Sequence, residues 1–218
     1  MGRYNLPAGI SFCEVDGQLV FLDLGRDRYF RIGASLEQAF RSAVDGAGEV
    51  AEDQIERLRA NGLITSDVVP ETLERAVATE PTASLVERRQ RRASVQPILL
   101  GEMAIRLLHA RHIVRRGGLP GAISALRAGK DRQSAPDRCS LSLVRPYLAC
   151  RGLLPFAPNC LRDSLALAFY LNRRGAPFQL VFGVKLAPFA AHCWLQDGPL
   201  VLNDSLDSVA DFKPILVV

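Results

Sequence analysis

The stretch Pro158-Asn159-Cys160-Leu161-Arg162-Asp163-Ser164-Leu165-Ala166-Leu167 sets a cysteine in the first turn of a predicted helix. At a helix start the unpaired backbone N–H groups and the positive end of the macrodipole favour a thiolate, the nucleophilic form of the side chain. A thiolate nucleophile works with a proton acceptor. Ala191-His192-Cys193-Trp194-Leu195 supplies an imidazole on a strand-like run, and Val201-Leu202-Asn203-Asp204 offers a carboxylate to hold that imidazole in one tautomer. The order Cys160, His192, Asp204 within one segment points to nucleophilic catalysis. Asp207 and Asp211 compete with Asp204 for the third position, because a slip in turn register would bring either forward. Asp163 reads as a helix N-terminal charge rather than a catalyst.

Outward from this stretch, the helix carries Leu161, Leu165, Ala168 and Phe169 along one face and ends at Arg173-Arg174-Gly175, where basic side chains suit the negative dipole end. Phe178, Leu180, Phe182, Val184 and Leu186 then recur every second residue, as one face of a strand does. In the following strand His192 and Trp194 share a face while Cys193 and Leu195 take the other, so Cys193 is expected to point across the strand from the imidazole. Asp197-Gly198 predicts a hairpin turn, and Leu200 to Asn203 returns antiparallel, bringing Asp204 near the level of His192.

The front of the chain has a different texture. Ile10–Val15, Leu19–Leu24 and Arg28–Ile32 read as three short strands, separated by Asp16-Gly17 and Gly25-Arg26-Asp27. Ser35 is the expected N-cap of a helix with Leu36, Ala39, Phe40 and Ala43 inward. A second helix, Ala51 to Ala60, carries Ile55 and Leu58 and stops at Asn61-Gly62. Residues 67–97 contain Pro70, Pro81, Pro97 and the run Glu87-Arg88-Arg89-Gln90-Arg91-Arg92, which predicts a linker with a solvated charged face. From Ile98 to Ala128 two helices are expected, broken at Gly117-Gly118-Leu119-Pro120-Gly121. Asp131 to Arg138 reads as a polar loop and Ser140 to Ala149 as a further helix. The result is an α+β chain of two domains, residues 1–66 and 98–218.

Charge and composition limit the function classes. The net charge is +4, but residues 1 to 65 hold seven Arg against ten acidic residues, leaving that domain at −3 and the remainder at +7. A phosphate-binding front domain should carry the positive charge itself, so nucleic-acid binding there is disfavoured. Neither a GxxxxGK[ST] loop nor a GxGxxG turn occurs, so no nucleotide site and no cofactor are expected. His109 and His112 sit three apart without a supporting ligand pattern and read as surface or packing histidines, so no metal is expected. The five cysteines form no CxxC pair and no regular framework. With no secretory signal read, they suit reduced thiols in a cytoplasmic protein, Cys13, Cys139, Cys150 and Cys193 being buried structural residues. No apolar run reaches the roughly 20 residues needed to cross a bilayer, Lys185 and Pro188 interrupting the best one.

Three strands followed by helices, closing on Leu58-Arg59-Ala60-Asn61-Gly62-Leu63-Ile64, resemble the winged-helix module called the RiPP precursor peptide recognition element, similar to the pyrroloquinoline-quinone chaperone (PqqD-like) fold. The resemblance covers about residues 6 to 66 and implies a leader peptide added as a strand between the third strand and the last helix. Carried over by position, Tyr29, Phe30, Arg31, Ile55, Leu58 and Arg59 would border that groove, with core packing an equal reading for Phe30, Ile55 and Leu58.

The Cys-Leu-x-x-Ser-Leu-Ala-Leu, Ala-His-Cys-Trp-Leu and Asn-Asp motifs resemble the transglutaminase-like (papain-like) cysteine peptidase domain of lasso-peptide B proteins, over roughly residues 98 to 218. That family often has Ala after the histidine and an acid soon after the tryptophan, where this chain has Cys193 and Gln196. The resemblance implies a leader peptidase with Cys160, His192 and Asp204 as its triad. Its implied partners are the precursor peptide and an asparagine-synthetase-like cyclase. An acyltransferase or transglutaminase on the same triad, and a non-catalytic scaffold delivering precursor to the cyclase, remain the alternatives.

Overall fold

The computed structural model describes residues 4–45, 50–65, 78–87, 96–130 and 140–218. It divides the chain into two units, Met1–Val77 and Ala78–Val218.

In the first unit β1 (Ile10–Val15), β2 (Gln18–Asp23) and β3 (Arg28–Phe30) form an antiparallel meander in that order. The β1–β2 turn needs two consecutive residues at positive φ, and Asp16 (50°) and Gly17 (77°) supply them. Two helices, α1 (Ala34–Asp45) and α2 (Glu52–Ala60), follow. Helix α1 begins one residue before Ser35, which therefore lies in the first turn and not at the cap. Gly62 at φ 65° ends α2 as expected, and an antiparallel bridge between Asn5 and Thr65 ties the two ends of the unit together.

The meander buries one face against both helices. Phe12, Phe21 and Phe40 meet at centroid distances of 5.0 to 5.9 Å, two of the three contacts edge-on, the geometry that the ring quadrupole favours. Ile55, Leu58, Leu63 and Ile64 complete this core. At its rim Arg41 of α1 binds Glu14 of β1 at 2.9 Å and Glu37 at 2.9 Å, while Glu37 also accepts the Leu19 N–H. That cluster fixes α1 across the sheet.

The second unit contains α3 (Pro97–Lys130), kinked at Gly118, whose φ of 59° and ψ of −161° break the helix where the glycine pair predicts it. Helices α4 (Ser140–Arg151) and α5 (Cys160–Asn172) follow, then β5 (Gln179–Leu186), β6 (Phe189–Asp197), β7 (Leu200–Val201), α6 (Leu206–Ala210) and β8 (Lys213–Val217). Arg174 serves the dipole end of α5 as expected, donating to the Tyr170 carbonyl at 3.3 Å, and also pairs with Glu102 of α3 at 2.7 Å and lies over the Tyr170 ring at 3.8 Å.

The stretch predicted to be a linker behaves differently where it is described. Residues 83–84 form a short strand, β4, that pairs in parallel with β7 and completes a five-stranded sheet in the order β4-β7-β6-β5-β8. Leu85 is fully buried there. Two residues give no period to read, so only the long-range pairing reveals this strand. The Arg88–Arg92 run, the 131–138 loop and Cys139 lie outside the described residues.

The sheet is covered on both faces. Helix α5 is buried along its length from Ser164 to Asn172. On the opposite face Val181, Trp194, Val201 and Val209 form a small core with Leu206 and Phe212 packed against it. Gly183 stands opposite His192 in the β5–β6 ladder. A Cβ at that position would come within 2.8 Å of both Phe212 Cβ and the Trp194 ring, so only glycine lets these two side chains close over the strand. Among the described residues no helix is long and apolar enough to cross a membrane.

Candidate active site

Cys160 is the first residue of α5, and the sequence around it makes that start firm. Asn159 is the N-cap in extended geometry, its Oδ1 accepting the Arg162 N–H at 2.9 Å, an interaction worth about 1 kcal/mol in typical helices. Asp163 answers by accepting the Asn159 N–H at 3.1 Å and is clamped by Arg151 of α4 through two hydrogen bonds of 3.0 and 3.1 Å. Asp163 thus serves as the N-terminal helix charge that its position predicts. The cysteine itself is exposed.

His192, on β6, presents its imidazole to the face shared with Trp194 and Phe212, whose rings lie 6.1 and 5.3 Å from it. Its Nε2 lies 2.7 Å from Asp204 Oδ2. A carboxylate only accepts, so Nε2 carries the proton and Nδ1 is left for the Cys160 sulfur. The imidazole hydrogen-bonds that sulfur. The three side chains therefore converge, although Cys160 and Asp204 are separated by 44 positions in the chain.

Of the three candidate acids, the structure brings Asp204 to the imidazole. Asp207 sits in the first turn of α6, and Asp211 is 3.5 Å from Lys185 at the surface. Asp204 is held from several sides: its Oδ1 accepts the Ser205 N–H at 2.8 Å, and its main-chain carbonyl accepts the Ser84 hydroxyl at 2.6 Å. Ser84 belongs to β4, so the supposed linker braces the acid of the site.

Electrostatics follow from these contacts. The Cys160 thiol is brought down to about 4, first by hydrogen bonding from Cys193 and then from His192. The imidazole of His192 is raised to about 9, chiefly by Asp204 and next by the cysteine sulfur. Burial opposes ionisation of Asp204, yet hydrogen bonds from His192 and the Ser205 N–H outweigh it and hold the carboxyl below its usual range. At neutral pH the site therefore stores a thiolate–imidazolium pair backed by a carboxylate. This is the charge state of an activated cysteine nucleophile.

Two participants escape sequence reading. Cys193 does point across the strand from His192, but that face is the one covered by α5. Its thiol consequently reaches the Cys160 sulfur, and its N–H reaches it as well. Asn203 joins three elements: Oδ1 accepts the Leu195 N–H of β6 at 2.7 Å, while Nδ2 donates to Ser164 Oγ of α5 at 2.9 Å. Ser164, fully buried, donates its hydroxyl to the Cys193 carbonyl in a hydrogen bond of 3.1 Å. The Asn-Asp dipeptide was the only available signal for Asn203. Gln196, where an acid was the family habit, is buried and accepts the Trp194 indole N–H at 2.9 Å while donating to the Thr79 and Gly198 carbonyls.

A family model for the transglutaminase-like superfamily matches residues 104–217, more than half of the chain and all of α5 through β7. The chain belongs to the transglutaminase-like superfamily. The matched residues include Cys160, His192 and Asp204. Over 50 residues the chain is also 42% identical to the microcin J25-processing protein McjB of Escherichia coli, a stretch covering 23% of this chain and 24% of that protein. The matched stretch thus spans about a quarter of that relative. The likeness to lasso-peptide B proteins drawn from the sequence stands on these two matches. No solved structure matches the chain.

The remaining predicted site residues lie in the first unit. Tyr29, Phe30 and Arg31 line a cavity of about 560 Å³, together with Arg28, Ile32 and Leu36. Ile55 and Leu58 are 6% and 0% exposed and belong to the core, so they offer no surface to a bound strand. Phe30 serves both sides, stacking on Phe21 at 5.3 Å while bordering the cavity. Arg59 lies over the Tyr4 ring at 5.6 Å. No group of three His, Cys, Asp or Glu side chains able to hold a metal ion occurs among the described residues. His109 lies against the Phe169 ring at 5.1 Å, a packing role.

Proposed function

We propose that this chain is a leader peptidase of lasso-peptide maturation, binding the leader of a precursor peptide through its first unit and hydrolysing the leader–core bond with Cys160, His192 and Asp204. The observation that carries the reading is the thiolate at a helix N-terminus, hydrogen-bonded to an imidazole whose other nitrogen is 2.7 Å from a carboxylate. Its similarity over part of its length to a protein named for microcin J25 processing supports the substrate class.

In this reading Cys160 Sγ attacks the scissile carbonyl, forming a C–S bond while the carbonyl π pair moves onto oxygen. The N–H of Cys160, in the first turn of α5, is assigned as a donor to the developing oxyanion. Collapse expels the amine of the core peptide, which takes a proton from the His192 imidazolium. Water then adds to the thioester, losing its proton to the neutral imidazole, and the leader leaves with a new carboxylate as the thiolate returns. Asp204 holds Nε2–H throughout, keeping Nδ1 aimed at the reacting atoms. The cycle as drawn needs no metal or cofactor. The freed core amine is the substrate for a separate asparagine-synthetase-like cyclase. Cys150, Cys160 and Cys193 are free thiols, which suits the reducing cytosol.

For leader capture, a winged-helix recognition element is the reading that the first unit supports. Strand β3 is an outer strand of its sheet, and the cavity beside it presents apolar Ile32 and Leu36 next to Tyr29, Arg28 and Arg31. An added strand gains main-chain hydrogen bonds at such an edge and selectivity from side-chain pockets. Tyr29→Ala and Arg31→Ala should each weaken binding of a synthetic fluorescent leader about tenfold by anisotropy, with Glu56→Ala on the exposed side of α2 as an unaffected control. Equal affinities for all four proteins would remove the groove from consideration.

The superfamily to which the chain belongs favours one further reading, transfer of the acyl group to an amine instead of water. Mass spectrometry of a precursor incubated with the protein separates the two. Leader and core as separate species, the leader gaining one water on release, are expected. A product heavier by an added amine, or an intact precursor at all times, would defeat the peptidase reading.

A further inference from the structure

We propose that Cys193 is a positioning residue for the Cys160 nucleophile, its thiol and main-chain N–H both donating to the Cys160 sulfur to hold it as an anion at the start of α5. The inference rests on the reading of Cys160 as the reactive thiol and adds a residue to which that reading assigns no part.

The argument begins with the sheet. Alternation along β6 sends His192 to one face and Cys193 to the other, and α5 packs on the second face. Cys193 stands opposite Phe182 in the ladder and is 3% exposed. Its carbonyl is fixed by the Ser164 hydroxyl at 3.1 Å, and Ser164 is fixed in turn by Asn203 at 2.9 Å. Ser164 stands one turn after Cys160 on the same face of α5, so this bond locks the strand residue beside the start of the helix, on the side that carries the Cys160 sulfur.

The two thiols are not equivalent. Cys160 is exposed, opens a helix and faces His192, all of which favour its anion. Cys193 is buried and faces that anion, so its own thiol is pushed up and stays protonated. A protonated thiol beside a thiolate is an S–H donor to it. The other groups around the sulfur are accounted for. His192 comes from β6 with Asp204 behind it, while Asp163 on the helix is tied to Arg151 of α4 and Arg162 donates to the Ala157 carbonyl.

The test reads the thiolate directly, without a peptide substrate. The intact protein is treated with iodoacetamide across a pH series, and the rate of alkylation at Cys160 is followed by peptide mass spectrometry. In the parent protein the rate should rise through an inflection on the acid side of neutrality. Cys193→Ala, which keeps the N–H but removes the thiol, should move that inflection up by about one pH unit or more, roughly tenfold in the thiolate equilibrium. Cys193→Ser keeps a donor on the same face and should restore part of the shift. Circular dichroism establishes that both variants are folded, and loss of packing alone would lower the melting temperature without moving the inflection. An unmoved inflection in Cys193→Ala, or equal shifts for Ala and Ser, would overturn the proposal. Because alkylation consumes no peptide, the result stands apart from whether leader hydrolysis is the reaction.

Discussion

Cys160→Ala is expected to abolish cleavage of the precursor, lowering the rate on the order of 10⁴-fold or more, the scale on which enzymes of this type lose activity with their nucleophile. The fold should be unaffected. Cys160 is exposed, alanine is the best helix former, and the cap that starts α5 is made by Asn159 and Asp163. Leader affinity should be unchanged as well, because the cavity proposed to receive it is lined by Tyr29, Phe30 and Arg31 in the other unit. The variant would accumulate a bound, uncut precursor. Chromatography with mass detection measures the first expectation and anisotropy with a labelled leader the second. Cleavage by Cys160→Ala within tenfold of the parent would leave the peptidase assignment without a nucleophile.

Asp204→Asn should cost about 10² to 10⁴ in kcat/KM and should also change the shape of the pH profile. In the parent protein the productive state is thiolate with imidazolium, so cleavage rises as pH passes about 4, where Cys160 loses its proton. It falls as pH passes about 9, where His192 loses its own. Asp204 is the largest contributor to the raised imidazole. A neutral amide removes the negative charge that favours the imidazolium, so the alkaline limb should move to lower pH. The acid limb should move less, since Cys193 is the leading influence on the cysteine. Initial rates across buffers at constant ionic strength would show this. An alkaline limb that stays in place, or a loss of only a few-fold, would mean that the 2.7 Å contact has no part in the chemistry.

The two forms of evidence divide along a physical line. Where a structure is set by neighbours a few residues away, the sequence already contained it: Asn159 and Asp163 start a helix at Cys160, Asp16-Gly17 closes the first hairpin, and Gly118 breaks α3. The period of two along β6 likewise separated His192 from Cys193, and the spacing through Asp197-Gly198 returned Asp204 to the imidazole. These features depend on local dihedral preferences and on repeat length, both of which are written along the chain.

What only the tertiary structure decided is which element covers each face. Cys193 looked inert because alternation turned it away from His192, until α5 proved to lie on that side. Ile55 and Leu58 looked equally suited to groove or core, until their burial beneath the meander left the cavity to Tyr29, Phe30 and Arg31. Residues 83–84 read as linker, yet β4 adds the edge of the sheet and Ser84 braces Asp204 across 120 positions of chain. Contacts at such separation arise when apolar faces find one another and buried polar groups find partners, and no window of sequence contains both members of the pair.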